Sequence, residues 1–195
     1  MDLKDSNTKI NLMRAFAGES QARNRYTIAG EAAKKQGMYI IKDLFTYTAN
    51  QEKAHAEVFY RALKSCNSDN INIDGGYPVS YYDDVAKLLR AAEHGEFQEY
   101  DDVYPNFAKV AKEEGFIAIS NIFNNIAEIE KKHGERFGKY ADMIEKDTLY
   151  NREEETIWMC TICGYIYEGK SAPNTCPVCT YPKGYFIEFE ESPFE

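Results

Sequence analysis

Two copies of one helical pattern constrain this chain more than any other feature. Glu52-Lys53-Ala54-His55 and Glu130-Lys131-Lys132-His133 each set a glutamate three residues before a histidine. Residues three apart share a helix face, so each pair presents a carboxylate and an imidazole to one point. The surroundings repeat as well. Ala33-Lys34-Lys35-Gln36-Gly37 precedes the first pair as Ala111-Lys112-Glu113-Glu114-Gly115 precedes the second, and fifteen residues separate glycine from glutamate in both copies. Phe45 and Ala49 match Phe123 and Ala127, and Gly18-Glu19-Ser20-Gln21 matches Gly95-Glu96-Phe97-Gln98. A duplicated helical hairpin with inward carboxylates and one histidine per copy is the layout of a two-metal helix bundle.

The repeat sets the register of the ligands. Glu96 is the counterpart of Glu19, and Glu52 of Glu130. One glutamate from each of two helices and Glu-x-x-His from the other two make the usual di-iron or di-manganese set. Hard oxygen donors with two imidazoles suit iron or manganese, whereas zinc takes fewer and softer ligands. Glu99 lies one turn beyond Glu96 and is a seventh candidate, matched in the first half only by Ala22. Glu93 competes for the same role, and the repeat does not choose between them. His94 falls off the ligand face and is expected in solvent. Cys66 stands alone at a helix end as a structural or incidental thiol.

The helical pattern predicts helices over about 7–35, 39–64, 82–113 and 116–146, with turns at Gly37 and Gly115. The polar, turn-rich stretch 66–78 is long enough to cross the bundle. Pro105 interrupts the third helix and should kink it or force a local rearrangement. Beyond Glu153-Glu154-Glu155-Thr156 the character changes to short aromatic strands, which divides the chain into a helical unit (1–150) and a small second unit (151–195). The 195 residues carry 32 acidic and 23 basic side chains, a formal charge of −9 that argues against nucleic acid or anionic membrane as partner. There is no membrane-spanning apolar run and no secretory signal at Met1-Asp2-Leu3-Lys4-Asp5, so the expected location is the cytoplasm.

Cys160-Thr161-Ile162-Cys163-Gly164 and Cys176-Pro177-Val178-Cys179 offer four thiolates to one metal. The spacing fits a structural zinc ribbon as well as a redox-active iron. Trp158, Tyr165, Tyr167, Tyr181, Tyr185 and Phe186 are expected to form a small aromatic core around the knuckles. Joined to a bundle that needs electrons, the thiolate site favours iron.

Helical di-metal unit followed by four-cysteine unit resembles the rubrerythrin family. The specific stretches are Ala15-Phe16-Ala17-Gly18-Glu19-Ser20-Gln21-Ala22-Arg23-Asn24-Arg25-Tyr26, Gly95-Glu96-Phe97-Gln98-Glu99-Tyr100 with Tyr104-Pro105, and the two knuckles. The resemblance implies a mainly α fold, a ferritin-like four-helix bundle followed by a small rubredoxin-like β domain. It implies di-iron ligands Glu19, Glu52, Glu96, Glu99, Glu130 and His133, with His55 trading places with Glu99 as the irons change oxidation state. Glu52 and Glu130 are then the bridging carboxylates, and Tyr26 and Tyr104 are hydroxyl donors beside the cluster. Cys160, Cys163, Cys176 and Cys179 become the ligands of a tetrathiolate iron. Thr180 departs from the pattern, standing where free-standing rubredoxins usually carry glycine, and the interval between knuckles is shorter than theirs.

The activity implied is a peroxidase reducing hydrogen peroxide to water, in protection against oxidative stress. Electrons would pass through the rubredoxin-type iron from an external NAD(P)H-dependent reductase or a rubredoxin. No Gly-rich dinucleotide fingerprint is present, so nicotinamide is not expected to bind this chain. The resemblance also implies a head-to-tail homodimer. Ferritin-like iron oxidation is the alternative activity, and a non-enzymatic zinc-ribbon adaptor is a third class.

Overall fold

The computed structural model describes residues 1–192, so positions 193–195 of the second unit lie outside the described residues. Helices α1 (Asn7–Lys35) and α2 (Tyr39–Ala62) form the first hairpin. Ser6 caps α1 through its hydroxyl, which accepts from the Lys9 amide at 3.1 Å. At the other end Gly37 takes φ +75°, with its amide on Lys34 O and the Met38 amide on Ala33 O. Those two bonds are the glycine-terminated cap that satisfies the last helical carbonyls. Gly115, at φ +89°, does the same between the second pair, where the Phe116 amide reaches Ala111 O at 2.8 Å. Both hairpins therefore turn where the repeat places a glycine.

The second hairpin departs from the expected single third helix. It is built from α3 (Val85–Gln98), a π-helical segment (Glu99–Val103) and α4 (Tyr104–Glu113), followed by α5 (Ile117–Glu145). The Tyr104 amide bonds Glu99 O, five residues back. Pro105 has no amide to give the carbonyl one turn earlier, which favours this wider turn over a regular one. A second cause lies in the repeat. Glu19 and Glu96 are 77 residues apart, but Tyr26 and Tyr104, like Gly37 and Gly115, are 78 apart. The π segment absorbs the one extra residue, so Glu96 before it and Tyr104 after it both point inward.

Two apolar cores flank the middle of the bundle. One, toward the Gly37 turn, contains Tyr26, Phe45, Leu89 and Phe137; the other, toward the N-terminus of α1, contains Leu12, Phe59, Tyr104 and Phe123. Each shows the duplication in its rings: Phe45 lies 5.2 Å from Phe137, and Phe59 lies 5.2 Å from Phe123. Cys66 is buried in the second core, as expected of a structural thiol.

After α5 the chain forms a three-stranded sheet in the order β2 (Ile166–Ser171), β1 (Asn151–Cys160), β3 (Phe186–Glu188). Trp158 on β1 pairs with Tyr167 and Glu188 on either side and donates its indole N–H to Gly169 O at 2.9 Å. Trp158 and Phe186 form the core of this unit with Tyr165 packed against them. Tyr167 and Tyr181 do not join it, since their positions face outward and leave them exposed. Tyr185 instead stacks on Tyr39 at 4.0 Å, at the start of α2. The two units meet there closely: a β-carbon on Gly184 would fall 1.7 Å from the carbonyl oxygen of Gly37, and Ile187 packs into the bundle core. Among the described residues no helix is long and apolar enough to cross a membrane.

Candidate metal centres

Between the two apolar cores the bundle buries charge. Glu19, Glu52, Glu96, Glu130 and His133 are almost fully enclosed, and His55 is 7% exposed. Isolated carboxylates in such a place are strongly disfavoured. Their arrangement is orderly. Glu52 reaches His55 Nδ1 with one oxygen and His133 Nδ1 with the other, both at 3.0 Å. Glu130 mirrors it, at 3.0 Å from His55 Nδ1 and 2.8 Å from His133 Nδ1. Glu19 approaches from the His55 side at 4.0 Å, and Glu96 from the His133 side at 3.6 Å. Two overlapping ligand groups result, each with its donor atoms within 4.8 Å of one another: Glu19, Glu52, His55, Glu130 and Glu52, Glu96, Glu130, His133.

The outer carboxylates are held by tyrosines. The Tyr104 hydroxyl donates to Glu19 and the Tyr26 hydroxyl to Glu96. Each tyrosine comes from the hairpin opposite its acceptor, so the contacts cross-brace the bundle. Phe45 and Phe137 wall in Tyr26, and Phe59 and Phe123 wall in Tyr104.

Burial and the neighbouring carboxylate of Glu130 push Glu19 well above the usual carboxyl range. Burial and Glu52 raise Glu96 to about 8. For His133, burial works against the charged form but is outweighed by hydrogen bonds that its ring donates to Glu130, Glu52 and Glu96, raising it to about 12. The cluster thus demands positive charge in its centre. Glu19 Oε2, Glu96 Oε2 and His133 Nε2 are buried without a hydrogen-bond partner, and Glu52 Oε1 and both oxygens of Glu130 meet only the two histidine rings. Buried polar atoms seldom stay unpaired, and this many in one place fit a pair of cations.

Six of the seven expected ligands are brought together. Glu99 stands outside both groups: it opens the π segment, is half-buried, and lines an adjacent cavity of about 190 Å³ beside Tyr104. Glu93 turns away to Arg90 at 2.9 Å, and His94 is exposed.

The four knuckle cysteines form the second centre. Cys160 Sγ lies 3.6 Å from Cys179 Sγ, and Cys163 Sγ lies 3.7 Å from Cys176 Sγ. Four sulfurs around a metal at about 2.3 Å would be roughly 3.8 Å apart at the edges of the tetrahedron, so the cage has the right size. The two knuckles are built alike. The Gly164 amide bonds Cys160 O at 2.8 Å, and the Thr180 amide bonds Cys176 O at 2.9 Å. Both turn residues are left-handed, Gly164 at φ +75° and Thr180 at φ +63°. Burial raises the Cys176 thiol, but the amides of Cys179 and Val178 prevail and bring it down to about 7.

Comparison with known proteins matches both halves. The profile described as rubrerythrin matches residues 11–141, and the one described as the rubredoxin-like domain of rubrerythrin matches residues 158–187. Rubrerythrin-1 of Clostridium acetobutylicum is 43% identical over 191 residues, covering 97% of this chain and 98% of its own. The rubrerythrin of Nitratidesulfovibrio vulgaris is 42% identical over 184 residues, covering 94% and 95%. Among solved structures, nigerythrin in its mixed-valence state superposes with a TM-score of 0.64 at 30% identity, covering 94% of this chain and 86% of that one.

Proposed function

The chain belongs to the rubrerythrin family of di-iron, peroxide-detoxifying oxidoreductases, and on that premise we propose that it is the terminal peroxidase of an NAD(P)H-dependent system. The reaction is H2O2 + 2H⁺ + 2e⁻ → 2H2O. The observation that supports it is the way Glu52 and Glu130 spread their oxygens over both histidines, the arrangement needed to hold two cations side by side. When loaded, the iron pair would supply the two electrons that split peroxide, and the tetrathiolate iron would return them singly from an external reductase or rubredoxin.

The protein groups have separable tasks. Glu52 and Glu130, which each reach both histidines, would hold the iron pair together with Glu19 and His55 on one side and Glu96 and His133 on the other. Tyr104 and Tyr26 fix the end carboxylates through their hydroxyls, which limits how far the site can relax. Glu99, on the cavity wall, would be the carboxylate that exchanges with His55 when the irons are bound. The four thiolates of Cys160, Cys163, Cys176 and Cys179 hold the carrier. Residues 1–150 therefore carry the peroxide chemistry and 151–195 the electron relay, and the system works in the cytoplasm.

A head-to-tail homodimer accompanies this reading. The small unit docks at the Gly37 turn of its own bundle, and Tyr39 lies thirteen residues before Glu52 on α2. At 1.5 Å per residue the carrier is about 20 Å or more from its own chain's cluster, so a partner's bundle is the better acceptor. The test combines Cys179→Ala, which lacks the carrier, with Glu130→Ala, which lacks the peroxide site. Each alone should have no reductase-coupled peroxidase activity, and mixed dimers formed by joint refolding should recover part of it. Activity in Cys179→Ala alone would contradict the relay, and mixed dimers without recovery would contradict the interchain route.

A further inference from the structure

The duplicated Gly-Glu-x-Gln motif is only half used by the metal cluster. Its glutamates, Glu19 and Glu96, turn inward, while its glycines and glutamines, Gly18, Gln21, Gly95 and Gln98, line one cavity between α1 and α3. A glycine inside a helix is a destabilising choice, usually justified by tight packing. Other helical glycines here have that reason. A β-carbon on Gly30 would meet Lys42 O at 3.3 Å, and one on Gly134 would meet the Phe97 ring at 3.1 Å. Gly18 does not, because a β-carbon there would meet nothing within 4 Å, and at Gly95 it would meet only Arg25 Nη2, at 3.9 Å. Both glycines keep open space rather than close contact.

That space holds about 190 Å³, enough for several waters. Tyr104 and Glu99 form its inner wall, and Tyr104 touches Glu19 directly. Its roof is the segment Asp74–Pro78, tied down by the ion pair of Asp74 with Arg14. Tyr77 lies in this roof, with its ring folded over Gly75 at 3.1–3.3 Å from where a β-carbon would sit. The Gln21 carbonyl is taken by Arg25 Nε at 2.6 Å, so the lining offers amide N–H donors from Gln21 and both donors and an acceptor from Gln98, which suit a small neutral molecule that both gives and takes hydrogen bonds.

We propose that this chamber is the path by which hydrogen peroxide reaches the carboxylate cluster, kept open by Gly18 and Gly95, with Tyr77 limiting the size of hydroperoxide admitted. The substrate rests on the peroxidase reading above; the path itself does not. Azide association with the iron-loaded protein, followed by stopped-flow absorbance, therefore tests the path independently of turnover. Gly18→Leu should slow azide association at least tenfold at unchanged iron content. It should also lower kcat/KM for hydrogen peroxide by a similar factor while kcat stays within twofold. Unchanged azide association and unchanged kcat/KM in an iron-replete Gly18→Leu protein would overturn the proposal. If wild-type protein binds azide but turns over no peroxide, the peroxidase reading fails while the azide comparison still decides the path.

Should Gly18→Leu not fold or not take up iron, Gly18→Ala and Tyr77→Ala decide. Gly18→Ala should raise Tm by about 2 °C and slow azide association, whereas an incidental glycine would give only the rise in Tm. Tyr77→Ala should raise kcat/KM for cumene hydroperoxide at least tenfold and leave hydrogen peroxide within twofold. An unchanged ratio between the two substrates would remove Tyr77 as the size limit.

Discussion

Tyr104 donates its hydroxyl to Glu19 from the first helical position after the π turn, across 85 residues of sequence. The irregularity in the third helix and the metal cluster are thus one piece of construction. Without the extra residue in the π turn, Tyr104 would point elsewhere on its helix and Glu19 Oε1 would have no donor among the rings of Phe59, Phe107 and Phe123.

Tyr104→Phe keeps the ring and removes only that donor. Leaving a buried acceptor unpaired costs about 1–3 kcal/mol, which corresponds to a fall in Tm of about 2–12 °C for a chain of this size. Thermal unfolding with iron content measured in parallel checks this. Tyr26→Phe should behave alike, since Tyr26 holds Glu96 in the mirrored place. A difference between the two variants would show that the halves of the duplicated site are not equivalent.

Thr180 carries the strain of the second knuckle. It holds φ +63° with a β-branched side chain, while the matching turn residue of the first knuckle is Gly164. Left-handed backbone costs an L-residue about 1–2 kcal/mol, part of which glycine returns through its freer unfolded chain. Thr180→Gly should stabilise the small unit by about 0.5–1 kcal/mol net. Slower loss of the ferric tetrathiolate absorption on heating is the expected observation.

Glu114 gives the bundle a pH-dependent brace at the far end. Its carboxylate accepts from the Asn7 amide at 2.9 Å, the Thr8 amide at 2.8 Å and the Thr8 hydroxyl at 2.6 Å, capping α1 from the other hairpin. Burial opposes the charged form, but the hydrogen bonds from Thr8 and Asn7 prevail and lower the pKa. A lowered folded pKa means the stabilisation is present above the unfolded value near 4.5 and is lost as pH falls through the lower folded value. Glu114→Ala should cost at most about 1 kcal/mol at neutral pH, since solvent screens the contact, and the gap to wild type should close below pH 4.5. Tm of both proteins across that range measures it.

Much of this architecture was legible because the duplication fixed it twice over. Gly37 and Gly115 announced the hairpin turns, and Glu52, His55, Glu130 and His133 followed from helix periodicity. The π segment was not read from the residues, although its signal was present: the repeat offset changes from 77 at Glu19 and Glu96 to 78 at Gly37 and Gly115. Pro105 showed only that something must give. Tyr26 and Tyr104 came from family resemblance, because a tyrosine at a helix position does not reveal which carboxylate it will meet across the bundle. The exposed Tyr167 and Tyr181 were expected inside because aromatic composition says nothing about which face of a short strand is buried. Glu99 follows Glu96 by regular helical spacing, its amide reaching Gly95 O and Glu96 O, yet its carboxylate lines the cavity rather than joining the two ligand groups, which spacing alone does not decide.

Anaerobic titration of the fully reduced, iron-loaded protein with hydrogen peroxide tests the central claim most directly. The three irons of one chain would hold three electrons and each peroxide accepts two, so three peroxides should reoxidise two chains. The ferric tetrathiolate absorption should return in full at that ratio, and Glu130→Ala should show no such return on the same timescale. Absorption returning equally fast in Glu130→Ala, or a tetrathiolate that stays reduced in the intact protein under excess peroxide, would contradict the account.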